Sequence, residues 1–495
     1  MNTLKKFLPL IFVILLSFWA VKPLFSPGFF PMHDDTQVAR VFEMTKSLKL
    51  GMFPVRWVPD LGYGLGYPIF NFYAPLAYYI GSIFSLIGFD ALASTKIMIG
   101  LGIILSGIFM YFFAKDFFGK AGGVVSAIFY VYAPYHALDT YVRGDVAELW
   151  AYAFIPLAFF GFWKAYKEEK WIFLCLGSLG YAGIILSHNL TGMMISPFLL
   201  LFALILIILS YREKHIKKSF YFLGIILFGI LISAFYWLPA LTEMKNTNVS
   251  SILGNIKDNY VCINQLWTSP WGYGGSIPGC VDGLSFMAGK LHILVSFFSF
   301  VFLIILFVSR KKMDTSKIIL IVFSFLAFIF SLFLTLALSG FLWDRISLMQ
   351  FFQFPWRFLL TASFFSSILA GSAVWLITFI PAKKFFPHFA LEVSGVLIFI
   401  LLLLNVKFFV PQRILNVSSA YYTSEYSLKW TTSKISDEYL PKDTKKPKNP
   451  KEALLSKQVF TFKETPIETA SDLISLAGIG VLFAGIILSV KKRYA

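Results

Sequence analysis

The residues best equipped for chemistry in this chain are acids set close to arginine, histidine and aromatic side chains, between long apolar runs. The first group, Pro31-Met-His33-Asp34-Asp35-Thr-Gln37, follows the first apolar segment. Two adjacent carboxylates beside His33 supply oxygen ligands for a divalent cation such as Mg or Mn. One of them can instead act as general base toward an acceptor hydroxyl. The plain alternative is an acidic helix N-cap, since Asp at that position satisfies free amides. A second group, Asp139-Thr-Tyr-Val-Arg143-Gly-Asp145-Val-Ala-Glu148, sets four ionisable residues at a helix boundary. Charges there are costly unless paired or functional. Asp145 and Glu148 are three apart and share a helix face. An Arg143 pair with Asp139 or Glu148 that only docks helices is the structural alternative.

Further segments carry single groups of interest. In Pro54-Val-Arg56-Trp-Val-Pro-Asp60 the Arg56 fork suits phosphate oxygens. In Gly62-Tyr63-Gly-Leu-Gly-Tyr67-Pro68 the glycines let backbone approach a ligand and the tyrosines stack on sugar faces. A tightly turned loop held at the membrane interface by its aromatics explains the same residues. His188, in Ser187-His-Asn-Leu-Thr191, is a candidate ligand or acid/base, or simply a turn histidine. Arg357 opens a helix in Gln353-Phe-Pro-Trp-Arg357, where a cation opposes the helix dipole and invites an anionic partner. Glu243 follows a helix end, and the Gly/aromatic loop Trp267–Gly283 either closes over a ligand or caps helices. No Walker loop, zinc spacing, nucleophile elbow or dinucleotide fingerprint falls on a plausible element, so cytosolic ATP-driven chemistry is not expected.

The elements that must position these groups are membrane helices. Of the 495 residues, 58% are hydrophobic and 14% charged, far below the charge of a soluble domain. Fifty-seven Phe and 23 Tyr fit a lipid-facing surface with interfacial belts. The net charge of +17 sits largely in short loops that set orientation, and no nucleic acid is needed to explain it. The N-terminal run resembles a signal peptide without a convincing cleavage site and is read as an uncleaved first helix. Runs of span length follow at 92–114, 121–135, 149–166, 171–187, 190–210, 220–238, 291–309, 317–338, 358–380, 389–409 and 473–490.

The basic loops, among them Lys115/Lys120, Lys383/Lys384 and Lys491–Arg493, all fall on one side only if Ile69–Phe89 does not cross. The expected fold is therefore an all-α polytopic membrane protein with about twelve crossings, thirteen being the alternative. Both termini are then cytoplasmic, in the plasma membrane. Residues 69–89 form a juxtamembrane or re-entrant element within a first exoplasmic loop, 23–91. A transmembrane domain over 1–410, which includes a second long exoplasmic loop at 240–290, precedes a small exoplasmic segment, 411–472. A last helix with a basic tail covers 473–495. That arrangement leaves the Lys-rich stretch 429–463 outside, tolerable in a loop of this length. Cys175 lies in an apolar run, while Cys262 and Cys280 share one loop and can pair if it faces an oxidising compartment.

His-Asp-Asp, Arg-Trp-x-Pro-Asp, Gly-Tyr-Gly-x-Gly-Tyr-Pro, Tyr-x-Arg-Gly-Asp-x-x-Glu and Phe-Pro-Trp-Arg-Phe together resemble the C-superfamily (GT-C) membrane glycosyltransferases. Over about residues 1–410 they are more specifically similar to the bacterial "6-pyruvoyl-tetrahydropterin synthase-related" membrane-domain family. The superfamily resemblance implies sugar transfer, of the inverting type, from a polyprenyl-phosphate-linked donor to an exoplasmic acceptor: a cell-envelope glycan, lipid or protein. It implies Asp34 or Asp35 as the acceptor's base and Asp145 or Glu148, with Asp35, as holders of a metal or the acceptor. Arg56, Arg143 or Arg357 would meet the lipid phosphate. No pterin-synthase activity is expected, because the six histidines are scattered. Tyr73-Ala-Pro75 stands where some relatives carry His-Pro-Pro. Two other classes compete: a flippase for lipid-linked oligosaccharide, which needs charges deep along a central pathway, and a non-catalytic scaffold that binds a lipid carrier. The scaffold would be favoured if Asp34 and Asp35 lay more than roughly 15 Å from Asp145, Glu148 and any cavity.

Overall fold

The computed structural model describes residues 2–249, 256–380, 388–456 and 463–494. The orienting pair Lys383/Lys384 and part of the Lys429–Lys463 stretch lie outside the described residues. The described chain is helical, with isolated bridges and no strands. Its helices are α1 (Asn2–Leu16), α2 (Gln37–Lys49), α3 (Leu76–Leu86), α4 (Ala91–Val131), α5 (Val146–Glu168), α6 (Trp171–Ser187) and α7 (Asn189–Arg212). There follow α8 (Ser219–Ile232), α9 (Ala234–Glu243), α10 (Lys290–Val308), α11 (Thr315–Thr335), α12 (Leu359–Leu376), α13 (Phe389–Asn405) and α14 (Pro466–Tyr494). Shorter helical turns connect them.

Each of the twelve apolar runs forms helix. Among the described residues, nine helices are long and apolar enough to cross a membrane, or ten if the pair bent by 64° around α8 and α9 counts as one span. The 41-residue α4 is two helices in one. Gly119 breaks it with φ +75° and ψ −176°, a conformation open essentially to glycine alone. Along a straight helix Gly107 and Val131 would stand about 36 Å apart. Instead a Cβ on Gly107 would lie 2.8 Å from Val131, and one on Gly123 would lie 2.7 Å from Lys115. The chain therefore doubles back at Gly119, and the two runs around Lys115–Lys120 pack as an antiparallel hairpin.

Residues 69–89 form no spanning helix. Ile69–Phe72 makes one turn, the chain extends at Tyr73, and α3 supplies eleven residues. Eleven residues rise about 16 Å, half of a hydrocarbon core near 30 Å.

The chain clusters into two compact units. One comprises Met1–Phe25, Gly102–Val142 and Gly254–Gln412. Its centre is α12, buried along almost its whole length and flanked by α10 and α11. Serine and threonine hydroxyls close this packing: Ser299 Oγ donates to the Leu369 carbonyl at 2.8 Å and Thr361 Oγ1 to Ser331 Oγ at 2.9 Å. Gly371 and Gly122 let α12 and α4 approach so closely that a Cβ on either would strike the other's carbonyl. Cys262 and Cys280 are disulfide-bonded, their Cα atoms 5.6 Å apart, and Cys175 is buried and free.

The other unit comprises Ser26–Leu101, Arg143–Leu253 and Arg413–Ala495. Here α5 and α6 meet along glycines; a Cβ on Gly161 would fall 2.1 Å from Gly177 Cα. The loop regions are tied to the C-terminal part of the chain by bridges Phe29–Leu415 and Thr247–Pro441. Helix α14 lies on α8 and α9, where Ser475 Oγ accepts the Phe235 amide and donates to the Leu231 carbonyl.

Candidate functional site

The acidic cluster is built where α5 starts. Gly144 turns the chain with φ +69°, and Asp145 then caps α5, its Oδ1 accepting the Glu148 amide at 3.0 Å. Capping fixes Asp145 and aligns Glu148 one turn further on the same face. Both carboxylates meet Arg143, whose Nη2 lies 3.0 Å from Asp145 Oδ2 and whose Nη1 lies 2.8 Å from Glu148 Oε2. His188 joins from the junction of α6 and α7, where extended backbone (φ −153°, ψ 106°) separates the helices. Its Nδ1 is 2.8 Å from Thr191 Oγ1. Asp145, Glu148 and His188 each present one ligand-grade atom, all within 4.8 Å of one another, and all three residues are buried. Two carboxylate oxygens and an imidazole nitrogen suit Mg, Mn or Zn.

The Asp-Asp segment is fastened to this cluster. The Asp34 amide donates to the Arg143 carbonyl at 2.9 Å. Gln37 Nε2 donates to the Gly144 carbonyl at 2.8 Å and to the Asp34 carbonyl at 3.0 Å, and Tyr78 Oη donates to Gln37 Oε1 at 2.7 Å. The N-cap of α2 is Thr36, which places Asp34 and Asp35 in the turn just ahead of the helix. Asp35 is partly buried, and burial pushes its carboxyl up to about 6. The buried Tyr73 hydroxyl reports the convergence: burial, Tyr78 and the charge of Asp145 raise it well above its ordinary value, and Asp34 adds to the same effect while Arg40 opposes it.

Several expected ligand-binding residues are engaged elsewhere. Arg56 is 1% exposed; its Nη2 lies 2.5 Å from Asp472 Oδ1, its Nη1 donates to the Phe235 carbonyl at 2.7 Å, and its Nε stands 3.8 Å from Glu468. Its guanidinium is thus held by protein partners. Arg143 likewise spends its fork on Asp145 and Glu148. Tyr63 and Tyr67 are buried rather than open to sugar faces: the Tyr63 hydroxyl donates to Asp437 at 2.7 Å, and Tyr67 Oη accepts the Tyr439 amide. The glycine loop serves this packing, since a Cβ on Gly66 would fall 2.1 Å from Trp57. Asp35 is outside the three-residue ligand set, which takes His188 instead. Arg357 belongs to the other unit, buried at the start of α12 with its guanidinium 5.5 Å from the Phe354 ring centroid. His33 is exposed.

Arg40 escaped the sequence reading. Buried on α2, it lies 4.3 Å from the Tyr73 ring centroid and donates to Tyr78 Oη and Ser436 Oγ. Its one sequence signal is a cation on the otherwise apolar Val38–Val41 stretch.

Residues 70–377 match the model of a family described as "6-pyruvoyl-tetrahydropterin synthase related domain; membrane protein". An uncharacterised protein of Lactococcus lactis subsp. cremoris is 26% identical over 246 residues, 48% of this chain and 40% of the relative. The fold is similar to that of the oligosaccharyltransferase of Archaeoglobus fulgidus, crystallised tethered to an acceptor peptide containing the NVT sequon. The TM-score is 0.53 at 13% identity, over 97% of this chain and 64% of the archaeal one. The chain thus spans less than two thirds of the length of either relative.

Proposed function

We propose that this chain, which belongs to the 6-pyruvoyl-tetrahydropterin synthase related family of membrane proteins and has a GT-C-like fold, is a membrane glycosyltransferase. In this reading it moves a sugar from a polyprenyl-phosphate-linked donor to an exoplasmic acceptor. The observation that carries the reading is the Asp34 amide on the Arg143 carbonyl, which holds the first-loop acids against the Asp145–Glu148–His188 cluster. The separation that would favour a non-catalytic scaffold is absent.

The residues divide the work. Asp35, raised to about 6, is ionised at neutral pH yet more basic than an ordinary carboxylate, which suits a base taking the acceptor proton. Asp145, Glu148 and His188 would hold a divalent cation, which when bound supplies positive charge opposite a phosphate leaving group. Arg143 keeps the two carboxylates oriented, and Gln37 keeps Asp34 in register with Gly144. The Cys262–Cys280 disulfide supports an oxidising surrounding for its own loop, and the basic loops support cytoplasmic termini.

The test is sugar transfer by the purified full-length protein supplied with a short-chain polyprenyl-phosphate sugar and a cell-envelope extract as the source of acceptor hydroxyls, the labelled sugar appearing on the acceptor as polyprenyl phosphate is released. Wild-type protein releases polyprenyl phosphate; Asp34→Ala and Asp35→Ala, verified as folded, lose transfer by about 10²–10⁴-fold. Undiminished transfer in both variants would exclude this assignment.

A further inference from the structure

The unit centred on α12 contains a cavity of about 430 Å³ that the acidic site does not use. It lies where the Gly/aromatic loop meets the start of α10 and the end of α13. One wall is apolar: Leu404 and Phe408 line it, and Trp271 stacks on Phe408 with ring centroids 4.8 Å apart and planes 26° from parallel. Its charged lining is of one sign. Lys290, the first residue of α10, and Lys407, two residues past α13, both line it and are exposed, and no described lining residue is acidic. Trp271 Nε1 is buried without a hydrogen-bond partner among the described residues. A buried N–H is costly until an acceptor meets it, so this one marks a place for an oxygen.

The surroundings select the kind of anion. Phe399 and Leu403 on α13 and Leu294 and Phe297 on α10 are exposed large apolar side chains, the dress of lipid-facing helices. Lysines at the ends of such helices carry their ammonium groups to headgroup level, where they meet lipid phosphates. A small soluble anion would make no use of the apolar wall; an acyl chain would.

We infer that this cavity binds an anionic phospholipid. Lys290 and Lys407 pair with its phosphate, Trp271 Nε1 donates to a phosphate oxygen, and an acyl chain lies on Leu404 and Phe408. Among the described residues, those that line it all belong to one unit, and none belongs to the unit that holds Asp145, Glu148 and His188. The inference therefore stands independently of sugar transfer.

Native mass spectrometry of the full chain, exchanged into micelles doped with either phosphatidylglycerol or phosphatidylcholine, tests it. Wild-type protein should retain phosphatidylglycerol preferentially, and millimolar inorganic phosphate should not displace it. Lys290→Gln and Lys407→Gln should each weaken retention about fivefold, the loss expected for one interfacial lysine. Trp271→Phe, which removes the N–H together with part of the indole, should weaken it further, with the thermal midpoint in lipid-free micelles confirming that the variant is folded. Three results would each overturn the inference: wild-type retention in the double lysine variant, equal retention of the zwitterionic lipid, or displacement by inorganic phosphate.

Discussion

The backbone amide of Asp34 donates to the backbone carbonyl of Arg143 at 2.9 Å, so two acidic motifs more than a hundred positions apart share one hydrogen bond. Because it joins main chain to main chain, the register survives side-chain substitution at either residue. Variants at Asp34 and Arg143 therefore report on chemistry and charge rather than on whether the segments meet.

Asp35 predicts a pH dependence. Its folded-state value, about 6, lies above the usual carboxylate range. A base must be ionised, so transfer should hold steady above pH 7 and fall about tenfold per unit below pH 6. Stability runs the other way. The native protein holds this proton up to a higher pH than the unfolded chain, so the contribution favours folding at low pH and is lost as pH rises from about 4 to 6. Transfer rates measured from pH 5 to 8 would show the limb, and its persistence in Asp35→Asn would assign it to another group.

The cluster predicts cation binding that depends on all three ligands. Mn²⁺ binding followed by electron paramagnetic resonance should weaken at least about tenfold in Asp145→Asn, Glu148→Gln and His188→Ala. Chelation with EDTA should abolish transfer and added Mg²⁺ or Mn²⁺ should restore it. Wild-type Mn²⁺ affinity in the three variants would discard the site.

Arg143→Ala should behave in an opposite manner to the ligand variants. Removing the guanidinium takes a countercharge from two buried carboxylates, a loss of about 3–5 kcal/mol in metal-free protein. A divalent cation then replaces the missing charge, so the rise in thermal midpoint on adding Mn²⁺ should exceed that of wild type. An equal rise in both proteins would show that Arg143 does not compensate the cluster.

Arg56 predicts a structural phenotype. Asp472→Ala strips a carboxylate from a buried guanidinium and should cost about 3–5 kcal/mol, whereas Asp472→Asn keeps an acceptor and should cost less. Thermal unfolding in detergent distinguishes them. Equal midpoints for Asp472→Ala and wild type would mean that the pair holds nothing.

Gly119→Ala tests the reversal within α4. Its φ of +75° with extended ψ should cost an alanine about 1–3 kcal/mol. Cysteines at positions 107 and 131 should cross-link in the wild-type background and less efficiently with alanine at 119. Absence of any cross-link in the wild-type background would rule out the hairpin.

Local patterns carried the fold. Apolar runs of span length became helices, and the glycine-interrupted segment 69–89 became short ones, because both facts are written in neighbouring residues. The site was legible in part. Asp34, Asp145, Glu148 and His188 stood out as charges or ligands at helix ends, and the structure brings Asp34 to the other three. The engagement of Arg56 is not written in its neighbourhood, because its partner Asp472 is 416 positions away and no spacing rule joins them. Tyr63 and Tyr67 looked like open stacking platforms because residues 433–439, which cover them, carry no recognisable motif. Arg40 was passed over for the same reason: its burial depends on Tyr73, Tyr78 and Ser436 together.

The distance in sequence between Arg56 and Asp472 also sets an order of events during synthesis. At about 5–20 residues per second, the ribosome needs roughly 20–80 s to deliver the carboxylate after the arginine has emerged. Throughout that interval the guanidinium has no Asp472 or Glu468 to meet, and Tyr63 lacks Ser433 and Asp437. The first loop is born long before its lining, and a nascent chain stalled ahead of residue 433 would leave it open to a protease or an insertion chaperone.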